Sequence, residues 1–299
     1  AISAVPQSTC RRIFTTTDGD RVEIFHECLS GACAAFCGFH HARAGGILTS
    51  VRRDGSLLRE CARAGSAKIE IGLPPRAAVG VAGISIEGDR IVQRLRSIGG
   101  PAYSLTDMMS RADGVIQVRS GVRDGIVEGL VSTQALTHLT LGVDDTDTQE
   151  GGATFALALA LLTRLTLEKG VMPISHHVVM LCERITGKTA GNSASYIELA
   201  VPPSRVDRVT AKAREFVENE ALSAEWGMAV YRGMAIPPAL REYGKQVREA
   251  EVSRGRAEEV AGKTGIVLYG GNGVIGALGA VALARLPHEI QLDPSRKIA

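Results

Sequence analysis

Asp144, Asp145 and Asp147 fall within four positions, directly after the apolar run Leu139–Val143 and just before Gly151, Gly152 and Thr154. Carboxylates this close raise one another's pKa unless a cation lies among them. A hard divalent ion such as Mg²⁺ takes oxygens of this kind, its shell completed by substrate phosphates. The glycines let backbone come close to a ligand, and the helix start behind them offers N–H groups to an anion. The pattern suits a nucleotide–metal site; a solvated acidic turn with a glycine hinge is the alternative. Two later loops carry complementary groups. One holds Lys188, Thr189 and Asn192, and the other is Gly270, Gly271, Asn272 and Gly273 at the mouth of a helix. Lysine and backbone amides for phosphate oxygens, with carboxylates for a metal, are the parts phosphoryl transfer needs. Neither loop has the spacing of a Walker A or Rossmann fingerprint.

A second constellation lies near the start of the chain: Cys28, Cys33 and Cys37 with His26, His40 and His41. On a helix Cys33 and Cys37 share a face, and His40 or His41 extends it. Thiolates and imidazoles together can hold zinc or an iron–sulfur cluster. There is no C-x-x-C pair among them, and free cysteine also packs well in apolar cores, so both readings stand. His138, His176 and His177 have no partners at ligand spacing and read as structural.

The elements that would position these groups follow from the hydrophobic pattern. A buried strand over Leu139–Val143 feeds the acidic turn, and an apolar helix spans residues 153–167. Ser175–Glu183 and Ser195–Val201 read as strands on either side of the Lys188 loop, and Thr264–Tyr269 as the strand entering the last glycine loop. In an α/β sheet, loops on one strand edge converge on one crevice. Ser204 and Asp207 form a capping-box pattern for a helix through Leu222. Residues 239–260 read as a charged, solvated helical face broken at Gly244 and Gly255. Earlier, Arg12–Thr17 and Arg21–Phe25 flank an Asp18-Gly19 hairpin turn, and Cys28–Ala44 forms a helix stopped by Gly45 and Gly46. Lys68–Gly72 and Val79–Ile86 read as strands, Arg90–Ser97 and Leu105–Arg111 as short helices, and Val115–Val118 and Gly125–Val131 as late strands. The expected fold class is α/β (α+β): mixed sheets with packed helices in two closely packed halves. Residues 1–134 form an N-terminal α+β domain with the Cys/His-rich helix, and residues 135–299 carry the three loops.

Composition bounds the function. The 299 residues are 45% hydrophobic and 22% charged, enough for a substantial core. Lys+Arg number 34 against 32 Asp+Glu, a net charge of +2, and aromatics are 4%. Neither long-range attraction for nucleic acid nor a base-stacking platform is evident; tRNA stays open as a partner but is not favoured. No charged and apolar leader pattern is visible, and the 153–167 helix falls short of the ~20 apolar residues of a membrane span. A cytoplasmic protein with no membrane segment is expected, with self-association open. Six cysteines in this length are not a disulfide scaffold.

Three segments together carry a resemblance: Asp144-Asp145-Thr146-Asp147 with Gly151 and Thr154; Lys188-Thr189 with Gly191, Asn192 and Ala194; and Gly273 with Gly276, Ala277 and Leu278. In order and spacing they resemble the kinase domain of archaeal tRNA(Ile2) 2-agmatinylcytidine synthetase. Over its length the chain is similar to the methanogenesis marker protein 11 family, relatives of that domain from methanogenic archaea. The resemblance implies ATP-dependent phosphoryl transfer. It implies Mg²⁺ on Asp144, Asp145 and Asp147, and the nucleotide against Thr146, Gly151, Gly152, Thr154, Lys188, Thr189, Asn192, Gly270, Gly271, Asn272 and Gly273. In the synthetase a cytidine oxygen is phosphorylated and an amine then displaces phosphate. This chain departs from that pattern: Ala153 replaces one of two consecutive threonines, Ala190 replaces an arginine, and no OB domain or zinc ribbon is read here. ATP use with a different acceptor is therefore expected. A non-catalytic nucleotide-binding regulator and a metal-binding assembly factor using the Cys/His cluster are the alternatives.

Overall fold

The computed structural model describes residues 9–298 apart from 74, 99–105 and 186–190. It is a mixed α/β structure with packed helices and a curled sheet, and it divides into two compact units, Ala1–Leu136 and Thr137–Ala299.

In the first unit the Asp18-Gly19 turn forms as expected. It joins β1 (Cys10–Asp18) to β2 (Arg21–Cys28), with Asp18 opposite Arg21 and Gly19 at φ 61°. A bulge at Arg11 shifts the register, so that Cys10 comes to face Cys28. Helix α1 (Gly31–Ala44) starts at Ser30, whose hydroxyl accepts the Cys33 N–H, and ends at Gly45 in a positive-φ conformation. The next strands are β3 (Leu48–Asp54), β4 (Leu57–Arg63), the short β5 (Gly65–Ser66), β6 (Val79–Glu87), β7 (Arg90–Ile98), β8 (Val115–Arg123) and β9 (Ile126–Asp144). The order is β3-β4-β2-β1-β9-β7-β6-β5, with β8 also on β9. Val22, Ile24, Val81, Ile91, Leu95 and Val131 fill the space between the strands.

Several expectations fail here. Arg90–Ser97 is a strand, not a helix: exposure alternates along β7, with Ile91, Gln93, Leu95 and Ser97 facing in. Lys68–Gly72 is not a strand and keeps one bridge, Ile71 to Ala77. Residues 106–108 make a single helical turn running into a 3₁₀ turn at Met109–Arg111. Gly125–Val131 and Leu139–Val143 are parts of one continuous strand, β9.

The second unit has a five-stranded sheet in the order β10 (Met172–Met180), β11 (Ser193–Val201), β9, β12 (Gly227–Arg232), β13 (Val267–Gly270). All its neighbours are antiparallel. Helices cover both faces, and the inner strands β11 and β12 bury apolar residues on both sides. Leu139, Leu141, Val143, Ile197, Leu199, Met228 and Val230 face α2 (Thr154–Leu165) and α3 (Val206–Glu220). Tyr196, Ala229 and Tyr231 face α4 (Pro238–Glu249), α5 (Arg254–Thr264) and α6 (Val274–Leu283). A last short helix, α7, spans His288–Gln291.

The span 239–260 is thus not a solvated face. Leu240, Tyr243 and Val247 are core residues, Gly244 lies inside α4, and a Cβ there would stand 3.1 Å from the Ala282 Cβ. The Ser204/Asp207 capping box does not form: a 3₁₀ turn over Pro203–Arg205 precedes α3, and Asp207 pairs with Arg232.

Candidate functional site

At the end of β9 the chain carries Asp144 in ladder register with Gly227, then turns at Asp145, which adopts the left-handed φ of 52° that short polar side chains tolerate. The Asp144 carboxyl runs over the first turn of α6. A Cβ on Gly276 would lie 1.6 Å from its Oδ2, so only glycine leaves it room. Beyond the turn, Thr146 and Thr154 share a hydroxyl–hydroxyl hydrogen bond of 3.0 Å, and Thr154 Oγ1 donates to Asp147 Oδ1 at 3.2 Å. Thr148 and Gly151 close a small bridge. Gly152, at φ 91°, packs so close to Asp147 that a Cβ on it would stand 3.0 Å from the Asp147 Cβ. The Leu222 N–H donates to Thr146 O, fixing this turn to the end of α3.

The glycine loop meets the same strand ends. Gly271 N–H donates to Trp226 O at 2.7 Å, Gly273 N–H to Glu225 O at 2.7 Å, and Asn272 N–H to Glu225 Oε2 at 2.9 Å. What the glycines permit here is contact between two backbones. A Cβ on Gly227 would stand 1.9 Å from the Gly273 carbonyl carbon, and one on Gly273 would stand 2.8 Å from Asp144 O. The acidic turn and the Gly-Asn-Gly loop therefore meet at one end of the sheet, around the start of α6. They do so although the sheet is antiparallel, because β9 ends where β12 begins and β13 ends.

Of the second loop, Lys188 and Thr189 lie outside the described residues. Asn192 does not: its Nδ2 donates to Cys182 O at 2.7 Å, and the Leu181 N–H donates to Asn192 O, joining the two ends of that loop. The Leu181 side chain reaches the same Gly276, 3.1 Å from where its Cβ would be. Glu225 was not singled out by sequence. It sits before the short strand β12, and its role depends on backbone groups more than 40 residues away, as the Asn272 bond shows.

Electrostatics set this corner apart. Asp144 is 7% exposed, and its pKa is raised well above the usual carboxylate range by burial first, then by Asp145 and Asp147; the Asp145 N–H works against this. Asp145 is raised as well, by desolvation, Asp147 and Glu225. The positive end of α6 under Asp144 favours the ionised form by about 1 kcal/mol, less than burial costs it. Among the described residues no lysine or arginine pairs with Asp144. The carboxylates of Asp144, Asp145 and Asp147 repel one another at this corner, although the three do not all come within 4.8 Å of one another; oxygen donors of this kind suit a hard divalent cation such as Mg²⁺. His138 is spoken for: its Nε2 lies 2.9 Å from Glu198 Oε1, which also receives Arg285 Nε at 2.8 Å. His177 stacks on Tyr196.

In the first unit the thiols of Cys28, Cys33 and Cys37 lie within 4.8 Å of one another. A hydrogen bond with the Cys28 thiol brings Cys37 down to about 6 and Cys10 to about 4. The histidines go elsewhere than expected. His41 Nδ1 contacts buried Glu60 at 2.5 Å, and His40 accepts the Ala78 N–H and packs edge-on against Phe36. His26 lies behind Cys10, with its Nε2 3.7 Å from Glu60.

Residues 140–273 match the family model of the TiaS TCKD domain. Over 274 residues the chain is 25% identical to an uncharacterised protein of Methanocaldococcus jannaschii, covering 90% of this chain and 89% of that one. It is 29% identical over 151 residues to the tRNA(Ile2) 2-agmatinylcytidine synthetase TiaS of Pyrobaculum neutrophilum, covering 48% of this chain and 35% of the synthetase. The figures for the Methanopyrus kandleri synthetase are 29% identity over 160 residues, 51% and 36%. Among solved structures, a TiaS–tRNA(Ile2)–ATP complex aligns with a TM-score of 0.45 at 26% identity, covering 49% of this chain and 36% of that one. The chain thus spans about a third of the length of the synthetases it matches, and over that part it is a distant homologue of TiaS. No described helix is long and apolar enough to cross a membrane.

Proposed function

We propose that residues 137–299 bind ATP with Mg²⁺ and transfer its terminal phosphoryl group to an oxygen of an acceptor, in a protein of the methanogenesis marker protein 11 family. The observation that carries this reading is the meeting of Asp144 with the Gly-Asn-Gly loop at Gly276, where a Cβ would stand 1.6 Å from the carboxylate. A match to the TiaS TCKD domain over residues 140–273, which include the acidic turn and the Gly-Asn-Gly loop, supports it. Asp144, Asp145 and Asp147 are the metal ligands in this reading, and the raised pKa values of Asp144 and Asp145 are what carboxylates set to receive a cation would have without one. The ion, when bound, neutralises phosphate charge.

The chain's own part is positioning. Thr154 orients Asp147, Glu225 fixes the loop ahead of α6, and Lys188 with Thr189 faces the phosphates, Asn192 holding the base of their loop. Gly270, Gly271, Asn272 and Gly273 bring backbone up to the nucleotide beside the acidic turn, which Thr146, Gly151 and Gly152 hold in place. The acceptor oxygen forms a bond to the γ-phosphorus while the bond to the ADP oxygen breaks. Ala153 and Ala190 replace the synthetase's threonine and arginine, which argues for an acceptor other than its cytidine. In this reading the protein works in the cytoplasm.

The test is to follow γ-labelled ATP with Mg²⁺, alone and with tRNA or cell extract, using wild type and Asp145→Asn. Binding at or below millimolar nucleotide is expected, with turnover reduced roughly a hundredfold or more in the variant. No binding in that range, or turnover untouched by the substitution, would overturn the reading.

A further inference from the structure

We propose that the first unit holds a single zinc ion through the thiolates of Cys28, Cys33 and Cys37, with Cys10 as the fourth ligand. Three thiols meet at this place, and the Cys10 thiol lies against that of Cys28 beside them. Cys28 ends β2, Cys33 and Cys37 lie one turn apart on α1, and Cys10 begins β1. Their meeting is built by two local devices. The bulge at Arg11 brings Cys10 directly opposite Cys28, where cross-strand side chains touch. The Ser30 cap sets the first turn of α1 so that Cys33 points back toward β1, its Sγ 3.8 Å from Thr9 O.

Packing alone does not account for the arrangement. α1 carries two large apolar residues, Phe36 and Phe39, and turns them outward, 58% and 57% exposed. The inward positions go to Ala34, His41 and the thiols, so the largest apolar side chains of the helix are not the ones spent on the core. Cys33 and Cys37 are half-buried, which leaves an ion a way in.

The spacing selects the ligand. Four sulfurs arranged tetrahedrally around zinc at about 2.3 Å lie about 3.8 Å from one another. The three thiols within 4.8 Å match one ion; a four-iron cluster spreads its cysteines further apart. Soft thiolates with no carboxylate among them exclude Mg²⁺ and Ca²⁺. Behind the thiols a ring N–H of buried His26 donates to Cys10, and Glu60 and His41 hold that ring from the other side. Donors of this kind orient metal-bound thiolates and stabilise their charge.

The test uses the whole chain, purified without oxygen or chelator. Elemental analysis should give one zinc per chain, and Co²⁺ added after zinc removal should produce the thiolate-to-cobalt charge-transfer and tetrahedral d–d bands. Cys10→Ser should lower zinc affinity by about tenfold or more and shift the cobalt spectrum. Cys61→Ser and Cys182→Ser, outside the cluster, should leave both unchanged. A chain that neither retains zinc nor takes up cobalt with those bands overturns the proposal, as does iron with acid-labile sulfide in place of zinc. A Cys10→Ser spectrum identical to wild type overturns the four-thiol set. If that variant does not fold, cobalt titration of the unaltered protein still decides. ATP turnover is read separately, so the nucleotide reading of residues 137–299 fails or survives on its own.

Discussion

Glu60 and Asp144 are both carboxylates shut away from water, 0% and 7% exposed, yet their protonation is driven in opposite directions. Glu60 has cations supplied by its own unit, His41 at 2.5 Å and His26 at 3.7 Å, and despite burial the pair holds its pKa below the ordinary value. Asp144 has neighbours of its own sign, Asp145 and Asp147, and its pKa is raised. A buried charge is tolerated when its partner is built in. Under the proposed function, the contrast separates a carboxylate that holds a fold together from one that receives a cation. It also gives substitutions opposite expected effects.

The largest effect is expected at Glu60→Gln, which strands His41 in an apolar site and should cost about 3–5 kcal/mol in urea unfolding. A cost below about 1 kcal/mol would erase the contrast. The same pair predicts a pH profile. Glu60 is lowered, so its contribution is complete above the ordinary value of 4.5 and lost as pH falls through the folded pKa. His41 is raised, so its contribution is complete below 6.5 and lost as pH rises through the folded pKa. The pair's stabilisation should therefore be greatest between 4.5 and 6.5, and Glu60→Gln should flatten that maximum in thermal melts.

Asp144→Asn should do the reverse of Glu60→Gln. In Mg²⁺-free buffer the melting temperature should hold or rise, while ADP release with Mg²⁺ falls roughly a hundredfold or more. A destabilised variant would mean that Asp144 is structural. Next comes Gly276→Ala, whose Cβ must displace the Asp144 carboxyl. It should cost about 1–3 kcal/mol and most of the turnover, whereas alanine at Gly255, which meets nothing within 4 Å, should be near neutral. The smallest effect is expected at Glu225→Gln. Amide oxygen replaces carboxylate as acceptor for the Asn272 N–H, so stability should fall by about 1 kcal/mol, and nucleotide affinity should weaken only modestly in a titration.

The sequence made the hairpin at Asp18-Gly19 legible, along with α1, the acidic turn and the final glycine loop, because each is announced by residues next to it. β7 does not announce itself as a strand, since two of its four inward positions are Gln93 and Ser97, which hides an alternation the burial pattern makes plain. The helices over 238–264 read as solvated in sequence because six Lys or Arg and five Glu are spread along that span, although Leu240, Tyr243 and Val247 line one buried side. Cys10 joins the thiol group through a one-residue bulge, which no local pattern signals. Glu225 belongs to the candidate site only once β12 has paired with β9 and β13.

The touching backbones of Gly227 and the Gly273–Val274 peptide limit how this corner can diversify. Main chain offers evolution nothing to swap, and at Gly227 or Gly273 even one added methyl would collide with main-chain atoms. Change at this corner is therefore confined to side chains around a floor of main chain that has to stay as it is.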